Sequence, residues 1–250
     1  MTIAIVTPTH KQYLDQKELL RLKISLSLNS EFKHYFAVPD NLEVSDLRLN
    51  FPNSYFIYFE SSYFASASTY NVLMLEPLFY SKFLDSKFLL VLQTDAILMR
   101  NLKPLVTTTY DYIGAPWFPP YVIKEFLFRI YCDKKYFPYL AKKIISAGNG
   151  GLSLRNTSKL QTLTTYLKNS RYWSQLTAKN NRRINEDLAI AYFGKKRGLS
   201  IADKDYASQI FIERGNISFE SFSNLYGMHA PSKYQEHYEN FLFKKYENLL

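Results

Sequence analysis

An apolar run, Phe88-Leu89-Leu90-Val91-Leu92, passes straight into Gln93-Thr94-Asp95. A carboxylate at the end of a buried strand is hydrogen-bonded, paired with a cation or holding a metal, because an unpaired charge there is costly. Ligands of open α/β sheets gather beyond the carboxyl ends of the strands, which makes Asp95 a candidate for metal or phosphate binding. The alternative is an Asp that caps the next turn. Further along, Asn185-Glu186-Asp187 precedes a helical pattern. Asn185 suits an N-cap, and both acids favour the positive end of a helix. The same acids could instead present a base to a substrate. Gly148, Gly150 and Gly151 are three of the chain's eight glycines. Their loop either lets backbone approach a ligand and adopt positive φ, or simply turns tightly before a strand. It is neither GxGxxG nor a P-loop. His229, between Gly227 and Pro231, is placed for a ligand or phosphate contact. His10, His34 and His237 have no such setting. No GxSxG signature occurs, and a single cysteine, Cys132, makes neither an intrachain disulfide nor a zinc cluster.

These residues need elements to hold them. IAIVTP, KHYFAVP, SYFIYF and KFLLVLQ read as strands, the first stopped by Pro8. Leu19, Leu22 and Leu26 recur at helical spacing in QKELLRLKISLSL. TYNVLMLEPLFYSKFL reads as helical, with Pro77 near a helix start or at a kink. YDYIGAP and GGLSLR are short strands, and Asn156 caps a helix over NTSKLQTLTTYLKN. NEDLAIAYFGKKRG closes a short helix on Gly198, and SKYQEHYENFLFKKYENLL is a final helix. Strands alternate with helices up to about residue 100, which predicts an α/β layer with a mostly parallel sheet. With no linker and no repeat, residues 1–250 read as a single domain. Residues 1–100 carry the regular alternation, and residues 101–250 mix shorter strands with helices.

Composition narrows the classes. The 250 residues are 47% hydrophobic, 21% charged and 17% aromatic, as in a globular protein with one sizeable core. The net charge of +9 favours anionic partners without choosing among them. No segment approaches the roughly 18–20 continuous apolar residues of a membrane span. The first residues, MTIAIVTPTH, lack the charge and apolar length of a signal peptide.

Taken in order, the TD strand end, IGAPW, GNGGLSLR, NED and the late GMH resemble a GT-A glycosyltransferase. More closely, they resemble a bacterial and fungal family within that class, over about residues 60 to 231. The resemblance implies a nucleotide-diphosphate sugar as donor, expected to be a UDP-sugar, with residues 1–100 as the nucleotide-binding half and residues 101–250 as the acceptor and catalytic half. Asp95 would bind a divalent cation, Mn²⁺ or Mg²⁺, that bridges the two phosphates, with His229 as second protein ligand. His suits Mn²⁺ better than Mg²⁺. The usual triplet is D-x-D, and Gln93 replaces its first acid, so the amide would be a neutral ligand or a partner to sugar or ribose. Thr7, Pro8 and His10 would lie near the nucleotide, with Tyr70 and Asn71 at a helix start and Thr94 beside the metal. Trp117 would stack on a sugar, and Gly150 and Gly151 would let backbone approach it. Asp187, preferred over Glu186, would be the base of an inverting transfer. The acceptor would be a bacterial surface glycan or glycolipid, as in lipopolysaccharide or capsule synthesis.

A cytoplasmic enzyme peripheral to the inner face of the plasma membrane fits this expectation. Residues 122–143 interleave Lys124, Arg129, Lys134, Lys135, Lys142 and Lys143 with aromatics. They are either a surface for anionic lipid or a partly buried helical insertion with a basic outer face. The rival function is a basic binding module for nucleic acid or polyanionic glycan, supported by the NNRR and GKKRG runs. A solvated face explains those runs equally, and no nucleic-acid partner is expected. A nucleotidyltransferase would need a glycine-rich basic loop after the first strand, and VTPTHKQYLDQK has no glycine.

Overall fold

A computed structural model describes residues 2–126, 129–133, 143–178 and 185–249. Its strands are β1 (Ile3–Pro8), β2 (Lys33–Pro39), β3 (Tyr55–Phe59), β4 (Phe88–Leu92), β5 (Ala96–Leu98), β6 (Tyr112–Gly114), β7 (Pro116–Phe126), β8 (Arg129–Asp133), β9 (Lys143–Ala147), β10 (Leu152–Asn156), β11 (Phe211–Ile212) and β12 (Gly227–His229). Its helices are α1 (Gln16–Ser27), α2 (Ser45–Asn50), α3 (Ala67–Leu75), α4 (Pro77–Ser81), α5 (Thr157–Lys168), α6 (Trp173–Thr177), α7 (Glu186–Lys196), α8 (Lys204–Ile210), α9 (Phe219–Asn224), α10 (Pro231–Tyr234) and α11 (Glu236–Lys245).

Six strands form the central sheet in the order β3-β2-β1-β4-β10-β6. The first four are parallel, and β10 runs antiparallel between β4 and β6. This is the mostly parallel α/β layer that the sequence predicts. Every residue of β1 and β4 is buried, because helices cover both faces of the sheet. Ala4, Val6, Leu89 and Val91 pack with α3, α4, α5 and α7 on one face, while Ile3, Ile5, Leu90 and Leu92 pack with α1, α2 and α8 on the other. The alternation is the two-residue period of a strand. A capping box starts α1: the Asp15 side chain accepts from Glu18 N, and Glu18 Oε2 accepts from Asp15 N. Asn156 caps α5 as expected.

A small sheet, β11-β12-β5, continues from the end of β4. Ile97, Met228, Phe222 and Tyr238 form its own apolar cluster.

Three expectations change. The stretch around Pro77 is two helices, since Glu76 is extended and Pro77 opens α4. The tail is likewise divided into α10 and α11 at Gln235. The helical insertion is corrected: β7, β8 and β9 form an antiparallel sheet, and Val122, Ile123, Ile130, Tyr131, Ile144 and Ile145 are of the β-branched and aromatic types that suit strands. Lys134, Lys135, Lys142 and the NNRR run (180–183) lie outside the described residues.

Candidate functional site

The chain steps from β1 to β2 to β3 in one direction, then returns to place β4 on the other side of β1. Neighbouring parallel strands whose connections leave in opposite directions open a crevice at their carboxyl ends, where such sheets bind ligands. A cleft of about 520 Å³ lies there. Pro8, Thr9, His10 and Lys11 line it from β1, Glu18 from α1, Tyr70 from α3, and Gln93, Thr94 and Asp95 from β4.

The strand-end triplet is held from several directions. Gln93 N donates to Gly151 O at 2.9 Å, and Ala96 N donates to Gln93 O at 2.9 Å, closing the turn. Thr94 Oγ1 donates to Glu18, while Arg21 donates to the Thr94 carbonyl at 3.2 Å. His229 reaches the triplet through strand pairing, because β12 lies antiparallel to β5 with His229 opposite Ala96. Its Nε2 is 3.3 Å from Gln93 Oε1 and 3.4 Å from Asp95 Oδ1. The Gln93 amide is oriented by donation from Nε2 to Tyr70 Oη at 3.2 Å.

Asp95 Oδ1 is buried yet has no hydrogen-bond partner, although half of the side chain is exposed. A Cβ on Gly151 would run into His229 Nε2 and Gln93 Oε1. The backbone there is bare where three donor atoms converge. Among the described residues no three His, Cys, Asp or Glu side chains gather as metal ligands. Here the third donor is an amide. Donor separations of 3.3 and 3.4 Å approach the edge of about 3 Å in an octahedron with bonds of about 2.1 Å. The residues therefore fit a hard divalent cation. Burial opposes charge on His229, but the Asp95 and Glu213 carboxylates outweigh it and push the ring up to about 9. Burial likewise opposes charge on Asp95, but His229 and then Arg21 hold it below the usual carboxylate range.

Across Gly150 lies a second cluster. The fully buried Arg155 donates to Tyr80 Oη at 2.8 Å, Ser153 Oγ at 2.9 Å, Gly150 O at 3.1 Å and Glu186 Oε1 at 3.3 Å. Asp187 Oδ2 accepts from Gly150 N at 3.2 Å, and its Oδ1 accepts from Leu188 N at 2.6 Å. Burial and the adjacent Glu186 charge hold Asp187 above the usual carboxylate range. The two acids at the start of α7 thus differ: Glu186 is buried against a guanidinium, whereas Asp187 is held by backbone amides. Asn185 occupies the N-cap position without a side-chain cap bond, and instead accepts from Asn71 at 3.4 Å.

The structure thus gathers Gln93, Asp95, Gly151 and His229 at one point, with Tyr70 behind Gln93 and Thr94 beside them. Pro8 and His10 line the same cleft. Gly150, Glu186 and Asp187 meet next to it. Two expected site residues are elsewhere. Thr7 is buried on the far side of β1, where Oγ1 meets His34 Nε2 at 2.9 Å. Trp117 is in the core, 8% exposed and edge-on to Tyr121 at 5.1 Å, so packing takes the ring that was expected to stack on a sugar. Of the three loop glycines only Gly148 has positive φ, at 138°. Sequence reasoning missed Glu18, Lys11, Arg155 and Glu213. The capping box marks Glu18 and the GNGGLSLR motif ends on Arg155, whereas Glu213 carries no local signal.

Residues 53–229 match a protein family described as "Protein of unknown function (DUF5672)". The chain belongs to this family. Solved structures similar to it include the galactosyltransferase LgtC in complex with donor and acceptor sugar analogs. That match has 16% identity, spans 99% of this chain and 100% of that one, and has a TM-score of 0.58. An active-site mutant of LgtC matches at 20% identity over 90% and 86% of the two chains, with a TM-score of 0.54. Mouse xyloside xylosyltransferase 1, in its apo form, matches at 10% identity over 92% and 97%, with a TM-score of 0.52. At these identities the likeness is one of fold, and the fold is that of the GT-A glycosyltransferases. No curated protein matches the sequence.

Proposed function

We propose that this protein is a glycosyltransferase that moves a sugar from a nucleotide-diphosphate donor, a UDP-sugar, to a bacterial surface glycan or glycolipid. The observation that carries the reading is the bare pocket at the β1/β4 crevice, where Asp95 Oδ1 stands without a partner beside His229 Nε2 and Gln93 Oε1. Asp95, His229 and Gln93 would hold a divalent cation, Mn²⁺ before Mg²⁺. When bound, the cation supplies positive charge to the diphosphate as it leaves. Pro8 and His10 would flank the nucleotide, with Tyr70 and Thr94 fixing the wall on which it lies. The bare backbone of Gly151 would admit the transferring sugar, while Gly150, packed against Glu186 and Arg155, would bring the acid pair up to it. Asp187 would take the proton of the acceptor hydroxyl, for two reasons. Glu186 is committed to Arg155, and a raised pKa makes Asp187 the stronger base once ionised. Displacement from the face opposite the diphosphate would invert the anomeric carbon. Among the described residues no helix is long and apolar enough to cross a membrane. We place the enzyme in the cytoplasm, where the net charge of +9 would favour the anionic inner leaflet. A binding module without turnover would occupy the same cleft and release no nucleotide, which the following test separates.

The test is a screen of nucleotide sugars with and without Mn²⁺, read by released nucleotide. Wild type is expected to release nucleotide from one donor only with cation, and Asp95→Ala to lose that release while remaining folded. A folded Asp95→Ala protein with full activity would refute the site.

A further inference from the structure

We propose that Glu213 is a positioning residue for the cation site: it fixes the His229 ring so that Nε2 faces Asp95 and Gln93. The inference rests on the reading of those three residues as cation ligands.

The contact follows from strand register. β11 lies parallel to β12, with Phe211 opposite Gly227 and Ile212 opposite Met228. One residue further along both strands, Glu213 comes beside His229, and neighbours in register project to the same side. Glu213 Oε1 lies 3.3 Å from His229 Nδ1. On the other flank of β12, the pairing of His229 with Ala96 brings Asp95 to Nε2. Each ring nitrogen therefore faces its own carboxylate. Only the one at Nε2 belongs to the cleft, because Glu213 is outside the cleft lining.

Glu213 is held in turn. Its Oε2 is 3.9 Å from Arg214 Nε, and the Arg214 guanidinium lies 4.5 Å from the centre of the Tyr234 ring. Its side chain is only 13% exposed. A carboxylate so placed loses hydration and needs a partner to offset that loss. The imidazole supplies one.

The arrangement selects a tautomer. A histidine that binds a cation through Nε2 must keep that nitrogen bare and carry its proton on Nδ1. An acceptor at Nδ1 favours that form and locks the ring plane, as carboxylates behind metal-bound histidines do. Among the described residues the buried Nδ1 makes no hydrogen bond, and the Glu213 carboxylate at 3.3 Å is the acceptor beside it. Loss of such an outer partner typically weakens metal binding about 10–100-fold.

The experiment measures Mn²⁺ binding to the full chain without nucleotide sugar, by titration calorimetry and by the spin-resonance signal of free Mn²⁺. Glu213→Ala is expected to weaken binding about 10–100-fold. Glu213→Gln, whose amide oxygen still accepts from Nδ1, is expected to recover most of that loss. In a His229→Ala background neither change should matter further, which a general loss of structure would not reproduce. If Glu213→Ala does not fold, Glu213→Gln carries the test: a small loss with His229 and none without it supports the role. Wild-type binding by folded Glu213→Ala, or an equal loss with and without His229, overturns it. If Asp95→Ala and His229→Ala also bind Mn²⁺ like wild type, the cation reading itself fails, and this inference falls with it.

Discussion

Replacing Arg155 by methionine should unlock the cluster behind Gly150. The side chain is fully buried and donates to four acceptors, one of them the carboxylate of Glu186, which is 5% exposed. Methionine fills similar space but leaves Glu186 as a buried charge without its partner. Breaking a buried pair in this way costs about 3–5 kcal/mol. A domain of this kind has about 5–15 kcal/mol in total, so the loss is a large share of it. At about 2–4 °C per kcal/mol for a chain of this size, the melting temperature should fall by roughly 6–20 °C. Arg155→Met/Glu186→Gln removes the stranded charge and should recover about 2 kcal/mol, a coupling in the usual range for residues in direct contact. It should not reach wild type, since Tyr80 Oη and Ser153 Oγ still lose the Arg155 donor, and the Gly150 carbonyl keeps only that of Ser153. Urea titration by circular dichroism, repeated for the four members of the cycle, measures both terms. A loss below about 1 kcal/mol in Arg155→Met, or strictly additive single changes, would show that the pair does not hold this region.

Gly151→Ala should fold, because its new methyl meets the side-chain ends of Gln93 and His229 rather than backbone, yet lose Mn²⁺ affinity by about tenfold or more as they are pushed aside; unchanged Mn²⁺ titration would place the cation elsewhere. Asp187→Asn should keep donor affinity and lose transfer, while Glu186→Gln loses less; proton NMR of the product from an α-linked donor should show a β-linkage, and an α-linkage would exclude Asp187 as the base of a single displacement. His34, buried between Thr7 and Ser54, has its pKa pushed down to about 3 from the ordinary 6.5. The unfolded chain therefore binds the extra proton, and stability should fall by about 1.4 kcal/mol per unit as pH drops below 6.5 toward 3. His34→Gln should flatten denaturation midpoints between about pH 6.5 and 5, and an unaltered slope in that window would contradict the shift. Liposome flotation at low salt should show binding to anionic but not neutral vesicles, at about 1 kcal/mol for each basic residue near the surface; equal binding to both would remove the membrane proposal.

Strands β1 and β4 could be read directly because their apolar runs are uninterrupted, which is what burial on both faces demands, whereas β2 and the more exposed edge strand β3 stood out by their aromatic and β-branched residues. Asp95 was legible for the same reason: a carboxylate that ends such a run stands out. Asn156 was recognisable as a cap from its neighbours alone. What could not be read was pairing across distance. The antiparallel insertion of β10 beside β4, and the register that sets Glu213 beside His229, depend on segments far apart in the chain. Local pattern also failed over β7, β8 and β9, whose mixed apolar, aromatic and basic residues fit a strand and a helix alike. Thr7 and Trp117 went astray for a simpler reason. Their positions were inferred near the cleft, but the side a strand residue faces, and how deeply a ring is packed, follow from neighbours that a motif does not contain. The distinction between Glu186 and Asp187 likewise depended on Arg155, which pairs with only one of them.

Gln93 and His229 meet across 136 residues of intervening chain. Contacts of such separation form late in folding, because the loop must close before the contact repays it. The central strands can pair while the pocket is still absent, since β11 and β12 must first dock on β5 to deliver His229 and Glu213. A chain whose last sheet has come undone would keep its core and have no place for a cation. Any ligand of that pocket binds only the finished molecule, and by mass action it would hold closed the one seam that joins the end of the chain to the end of β4. On the proposed reading, cation binding therefore depends on the docking of β12 against β5, which brings His229 opposite Ala96.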